Sequence, residues 1–397
     1  MGKTRYKLEI LRSITGISAE KWNSLVTPET LPFLEWEWLA ALEESGSIAP
    51  ETGWHPLHFC LWEGDRLAAA APFYLKTNSD GEYVYDYFWA EAAQSLGRRW
   101  YPKLVGAPAA TPAEGYRFLH APGLDGEALT ALILEAAENI CRQNGIVSLN
   151  LLFADPLWAQ TLPRLGYSPW EHSHYVWENP GYAGFEDYLS IFSKNQRKNI
   201  RKEYRRHGEQ DISIRIINGE DAGEDMFRRM FELFTITNDK FAPWDARWVN
   251  EEFFLRLEKT CRRRAAFVEA SRNGSGEILA MAFLVRKGDR MWGRYWGAYE
   301  EVRDLHFAAC YYAPMDWCIR EGIRTFDPGA GSPHKIRRGF RAVTDRSWHK
   351  FFDPRLERLF ADNIDAVNQY EAENRRILNA ELPFKEHPAH EGLDRND

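Results

Sequence analysis

Between His58 and Leu75 the chain reads apolar, polar, then apolar again (HFCLWEGDRLAAAAPFYL), the pattern of two strands joined by a tight glycine-containing turn. Ala266–Val285 repeats that order around a longer turn, Arg272–Gly276. An aromatic run follows each hairpin and predicts a third strand, Tyr83–Trp89 in the first case and Met291–Tyr299 in the second. A helix is then expected over Ala131–Cys141, followed by Gly145-Ile146 and a strand, Val147–Phe153. The same succession recurs as Phe307–Arg320, Gly322-Ile323 and Thr325-Phe326. Two matched units in one order predict an α/β chain built by duplication, with mixed sheets flanked by helices. Pro180-Gly181 and Gly184 punctuate the join, so the expected domains are residues 1–183 and 184–380. A last helix is expected from Pro354 to about Asn379, and residues 381–397 read as a polar tail.

With 397 residues the chain is long enough for two cores. Hydrophobic content of 44% and charged content of 27% are those of a soluble globular protein. The aromatic share, 14%, points to large aromatic-lined clefts or interfaces. No apolar run approaches the roughly 18 residues of a membrane span, and the start MGKTRYKLEIL lacks a secretory apolar core. A cytoplasmic location is therefore expected. Five cysteines (Cys60, Cys141, Cys261, Cys310 and Cys318) form no C-x-x-C pair and read as reduced core thiols.

A formal net charge of −8 argues against broad coating of nucleic acid, DNA above all, yet Lys194–Arg206 carries seven cations. Ser193 and Gln196 fit a capping box and Gly208 a helix stop, so the run predicts a helix. At 100° per residue its cations form two adjoining stripes, Lys194/Lys198/Lys202/Arg206 and Arg197/Arg201/Arg205, with Ile200 and Tyr204 behind them. Such a helix start is either a phosphate grip or a solvated basic face.

Familiar catalytic signatures are missing. The chain has no complete P-loop, no G-x-G-x-x-G, no G-x-S-x-G elbow and no H-E-x-x-H. His172 and His174 lack a ligand cluster beside them and read as core or surface residues. No metal and no covalent nucleophile are expected; the remaining chemistry is positioning and proton transfer. Polar residues do gather at strand ends of the second half. Arg294 and Tyr295 close one strand, His306 and Tyr311 belong to the next helix, and Asp327 ends the strand after it. Pro328–Pro333 is a glycine-rich loop that allows close backbone approach, and His334, Lys335, Arg337 and Arg338 follow it. His306 and Asp327 are the acid–base candidates, and the loop reads either as a ligand nest or as a plain turn with solvated cations.

These stretches in this order resemble the bacterial FemAB-like proteins of the GNAT acyltransferase superfamily. The resemblance rests on Phe33–Gly46 (FLEWEWLAALEESG), Trp54–His58, Pro102–Leu104, Ser193–Lys202, Gly293–Gly297 (GRYWG), Leu305–Tyr312 and His334–Phe340. It implies two tandem GNAT-like domains and transfer of an aminoacyl or acyl group to an amine, in Fem transferases from aminoacyl-tRNA to a cell-wall precursor peptide. It also implies that Lys194, Arg197 and Arg201, with Lys335, Arg337 and Arg338, contact phosphate-bearing substrate. No cofactor is implied; aminoacyl-tRNA or acyl-CoA would be a donor substrate. GNAT enzymes cradle pyrophosphate with [Q/R]-x-x-G-x-[G/A]. Here Gln94-x-x-Gly97-x-Arg99, Arg142-x-x-Gly145-x-Val147 and Arg205-x-x-Gly208-x-Gln210 each end in a bulky residue. The first of them lies after the expected aromatic strand, where such a loop belongs. The expected function is direct N-acyl or aminoacyl transfer to a phosphate-bearing acceptor. An acyl-CoA-dependent transferase and a non-catalytic precursor reader stay open.

Overall fold

Both hairpins form where the alternation places them. The computed structural model describes residues 6–240, 247–331 and 333–385. The first half contributes β1 (Lys7–Leu11), β2 (Trp54–Pro56), β3 (His58–Glu63), β4 (Arg66–Ala71) and β5 (Phe73–Lys76). β6 (Lys103–Gly106), β7 (Leu119–His120), β8 (Ser148–Leu151) and β9 (Ser168–Glu178) complete it. The second half contributes β10 (Ile212–Asn218), β11 (Ala265–Arg272), β12 (Ile278–Lys287), β13 (Arg290–Ala298), β14 (Thr325–Asp327) and β15 (Arg341–Phe351).

In the second half the order is β10-β11-β12-β13-β14, antiparallel until the parallel pair β13–β14. The first half repeats that order with its hairpin bent at Leu57 and Pro72. The tips, β3 and β4, pair with β1 and β7 in a four-stranded sheet. The roots, β2 and β5, pair with each other and continue to β6, which runs parallel to β8. Proline suits the bend because it has no N–H to give to a ladder.

The last strand of each half is exchanged. β9 pairs with β14 of the second half and β15 with β8 of the first. β9 and β15 also pair with each other, from Arg341–Val176 to His349–Ser168. One eleven-stranded sheet thus runs through both halves, with the exchanged strands at its centre.

The expected strand at Tyr83–Trp89 is corrected. That segment is a loop leading into a helix, Tyr87–Ser95, and the third strand of the repeat is β6 instead. The cause is a buried ion cluster: Lys103 Nζ lies 2.7 Å from Glu82 and 2.5 Å from Asp86, all three side chains nearly inaccessible. Tyr83 takes a left-handed φ of 59°, so the segment curls around the ammonium rather than extending.

The expected helices form as Gly126–Gln143 and as a run from Leu305 to Glu321 that contains a π-turn, Ala308–Tyr312. Pro354–Ala380 is the last helix, capped by Asp353. Most of the expected polar tail, residues 386–397, lies outside the described residues. Among the described residues no helix is long and apolar enough to cross a membrane.

Candidate functional site

β13 and β14 pair only at Arg290–Thr325, Met291–Phe326 and Trp292–Asp327. Beyond that point β13 continues to Ala298 while the other chain turns into the glycine loop, so the parallel strands fork. Arg294 and Asp327 stand at the fork, joined by a 2.9 Å ion pair with both side chains buried. Asp327 also lies 3.4 Å from His174 Nε2 and accepts from Gly329 N at 2.6 Å. Gly329 has φ +80°, and a Cβ there would sit 2.7 Å from Gly293 O, so the loop needs glycine to pass so close to β13. Lys335 Nζ closes the loop from inside by donating to Gly329 O at 2.7 Å and Ala330 O at 3.1 Å.

The basic helix, Lys194–Glu209, docks on the segment after that loop. Ser193 Oγ accepts from Gln196 N at 3.4 Å, as a capping box requires. The Gln196 side chain does not return to the cap; it donates to Arg337 O at 2.6 Å. The expected stop at Gly208 is also corrected: the helix runs through it, and the left-handed residue is Asp211, with φ 59°. Further along, Glu203 accepts from Arg338 at 3.0 Å and from the Tyr312 hydroxyl. The Arg338 guanidinium lies 3.4 Å from the Phe307 ring centre, and the Tyr311 hydroxyl is 3.0 Å from His334 Nε2. His306 packs among Trp296, Tyr311 and His334.

The expected residues therefore separate into three groups. Arg294, His306, Tyr311, Asp327, His334, Lys335 and Arg338 gather at the fork and the helix beside it. Lys335 and Arg338, expected to reach for phosphate, are buried and already bonded to the protein, because the loop carbonyls and Glu203 lie closer than solvent. Lys194, Arg197, Lys198, Lys202 and Arg205 have no carboxylate within ion-pair distance among the described residues, whereas Arg201 pairs with Glu186 and Arg206 with Asp304. Arg337 is exposed beside them. Tyr295 goes elsewhere: strand alternation turns it to the opposite face from Arg294, among Phe234, Phe254 and Phe283.

The three near-miss pyrophosphate patterns end helices rather than begin them. Gly97 follows Tyr87–Ser95, Gly145 follows Gly126–Gln143, and Gly208 is in the last turn of the basic helix. A helix C-terminus carries carbonyls and the negative dipole end, so none can hold an anion as a helix start does.

Neither expected acid–base group has a near-neutral proton affinity. Burial lowers His306 to about 4, helped by His334, Lys335 and Arg338. Burial would raise Asp327, but Arg294 and His174 outweigh it and hold the carboxyl well below its usual range. Burial brings Lys335, one of the expected residues, down to about 8, whereas the carboxyls raised toward neutrality at the strand seam were not among the expected residues. Burial pushes Asp345 on β15 up to about 7, against the pull of His174. Burial and Asp345 together push Glu114 up to about 8. His174 moves up as well, because Asp327, Asp345 and Glu114 outweigh its burial. Register explains the gathering: Asp345 lies opposite His172, so β15 and β9 present Asp345, His172 and His174 on one face.

Asp345 leads to a pH-dependent prediction. Its folded-state affinity for a proton exceeds that of the unfolded chain, so its burial costs nothing below about pH 4. The cost grows as pH rises toward 7, where the unfolded carboxyl ionises and the buried one resists. Asp345→Asn should therefore match the wild type near pH 4 and exceed its stability by about 2–4 kcal/mol at pH 8. Urea denaturation across that range checks it; a pH-independent difference would refute the assignment.

The strand order and the parallel strand pair that recurs in both halves define a mixed α/β fold of tandem GNAT type. The solved structure of FemX aligns over 88% of this chain and 99% of its own, with TM-score 0.55 and 11% identity. The C-terminal domain of a putative lysylphosphatidylglycerol synthetase from Agrobacterium fabrum aligns over 86% and 94%, with TM-score 0.53 and 8% identity. At such identities the likeness concerns the fold alone. No curated protein matches the sequence. Residues 13–386 match the FemAB-like family, described as peptidoglycan biosynthesis/recognition. The chain belongs to the FemAB-like family.

Proposed function

We propose that this protein transfers an activated acyl or aminoacyl group to an amine of a phosphate-bearing acceptor, with a cell-wall precursor as the acceptor class. The observation that carries the reading is the junction of the capped cationic helix start with the forked strands, through Gln196–Arg337 and Glu203–Arg338. Free N–H groups at that start, with Lys194, Arg197 and Lys198, would hold phosphate oxygens. Holding donor and acceptor together is itself a large part of catalysis for a direct transfer. The acceptor amine attacks the donor carbonyl, a C–N bond forms, the C–O or C–S bond to the donor breaks, and the leaving alcohol or thiol takes a proton. Donors of oxyanion hydrogen bonds would come from the fork, with Arg294 and neutral His306 as candidates.

Among donors, aminoacyl-tRNA is favoured over acyl-CoA. None of the three pyrophosphate-pattern glycines lies at a helix start, which counts against a diphosphate-bearing acyl-CoA. A cytoplasmic site of action goes with either donor. Incubation with panels of charged tRNAs and acyl-CoAs, and with nucleotide-linked precursor peptides as acceptors, tests the reading by mass spectrometry. An acceptor heavier by one aminoacyl or acyl residue is expected. Precursor binding with every donor left intact would make the protein a reader instead.

A further inference from the structure

At the centre of the shared sheet, Asp345 is 1% exposed and its Oδ1 has no hydrogen-bond partner among the described residues. Glu114, in the loop before β7, is half-buried, and the backbone brings its loop to β15: Gly115 N donates to Phe153 O and Ala154 N to Arg346 O, the residue next to Asp345. No cation lies within ion-pair distance of either carboxylate among the described residues. The neighbouring cations are engaged: His174 and Arg294 are held by Asp327, and Arg290 lies over the Trp292 ring. Two carboxyls thus stand in a region of low dielectric beside the fork, where an unpaired charge is costly. The missing component is a compact cation with several N–H donors, and it must be one that can leave. A resident lysine or arginine would satisfy the carboxylates permanently.

We propose that Asp345, with Glu114 beside it, receives the acceptor's primary ammonium group and takes its proton. The ammonium gives one proton to the Asp345 carboxylate, leaving a neutral amine whose lone pair attacks the donor carbonyl. The second N–H proton departs with the leaving alcohol or thiol, and the Asp345 carboxyl returns its proton to solvent. His174 acts as a positioning residue, held by Asp327 on one side and facing Asp345 on the other. This inference rests on the transfer reading above, and it adds which groups handle the amine.

The groups able to influence Asp345 are Glu114 from the loop, His172 and His174 from β9, Asp327 from β14, and Arg346 on its own strand. Arg375 of the last helix bonds Glu171 and the His172 carbonyl on the far side of β9.

Saturation-transfer NMR on the full chain, with n-butylamine as probe and n-butanol and butyltrimethylammonium as controls, tests the site. Binding of n-butylamine alone is expected at pH 8, weakening about tenfold per unit as pH falls below about 7, where the carboxyl gains its proton. Asp345→Asn should weaken it at least about tenfold. Equal affinity in that variant, or no amine-selective signal in the wild type, would overturn the proposal. The wild-type pH series and Glu114→Gln, which should also weaken amine binding, test the site independently of Asp345→Asn. Inorganic pyrophosphate, titrated into the same samples, reports on the basic helix separately. Lost pyrophosphate binding with amine binding intact would count against the phosphate grip alone, and the converse against the amine site alone.

Discussion

Gly297→Val is expected to remove most of the protein's folding stability. A Cβ at position 297 would lie 2.0 Å from Leu233 C, 2.1 Å from its carbonyl oxygen and 2.5 Å from Phe234 N. These are backbone atoms of the helix Glu224–Asp239, whose Phe227, Met230 and Leu233 are buried in the core. A flexible side chain could step aside; a packed helix can move only by opening the core beneath it. Overpacking of ordinary side chains costs about 1–3 kcal/mol, so a clash with main chain should exceed about 3 kcal/mol, a large part of the stability of a typical domain. The control lies in the same GRYWG motif. A Cβ at Gly293 meets nothing nearer than 3.5 Å, so Gly293→Ala should cost less than about 1 kcal/mol. Urea midpoints for the two variants make the comparison, and equal midpoints would show that β13 and the helix are not in contact at Gly297.

Reversing three charges on the basic helix should have the opposite profile: large on binding, slight on folding. Lys194→Glu, Arg197→Glu and Lys198→Glu together replace cations at the helix start that have no carboxylate within ion-pair distance among the described residues. Each exposed cation–phosphate contact is worth up to about 1 kcal/mol, and reversal adds repulsion, so affinity for inorganic pyrophosphate should fall about 100-fold. The loss should shrink as salt is raised, because these charges are solvent-screened. Thermal stability should hold or rise, since acidic side chains favour a helix N-terminus. A variant with weaker binding and unchanged melting would locate the phosphate grip. Unchanged affinity would leave the cations as a solvated face.

The repeated unit was legible because its signals are local. Polar turns between apolar runs produced β3–β4 and β11–β12, and helical spacing produced Gly126–Gln143. Ser193 as a cap was equally readable, since a cap depends on residues within one turn. The misreading at Tyr83–Trp89 has a physical source. Aromatic residues favour strands only when a pleated surface is there to receive them, and Lys103, far along the chain, claimed Glu82 and Asp86 first. Lys335 and Arg338 were readable as cations but not as inward-facing ones, because their partners are loop carbonyls and a glutamate on another helix.

Local pattern in the sequence thus settled the two hairpins, the helix and short strand that follow later in each half, their duplication, the cationic helix and the glycine loop. Tertiary structure alone decided that β9 and β15 change places and that Asp345, Glu114, His174 and Asp327 meet at the seam they form. The reason is the range of the forces concerned. Alternation, capping and turn geometry act over a few residues, whereas a carboxyl's proton affinity depends on burial and on charges brought close by strands distant in the chain.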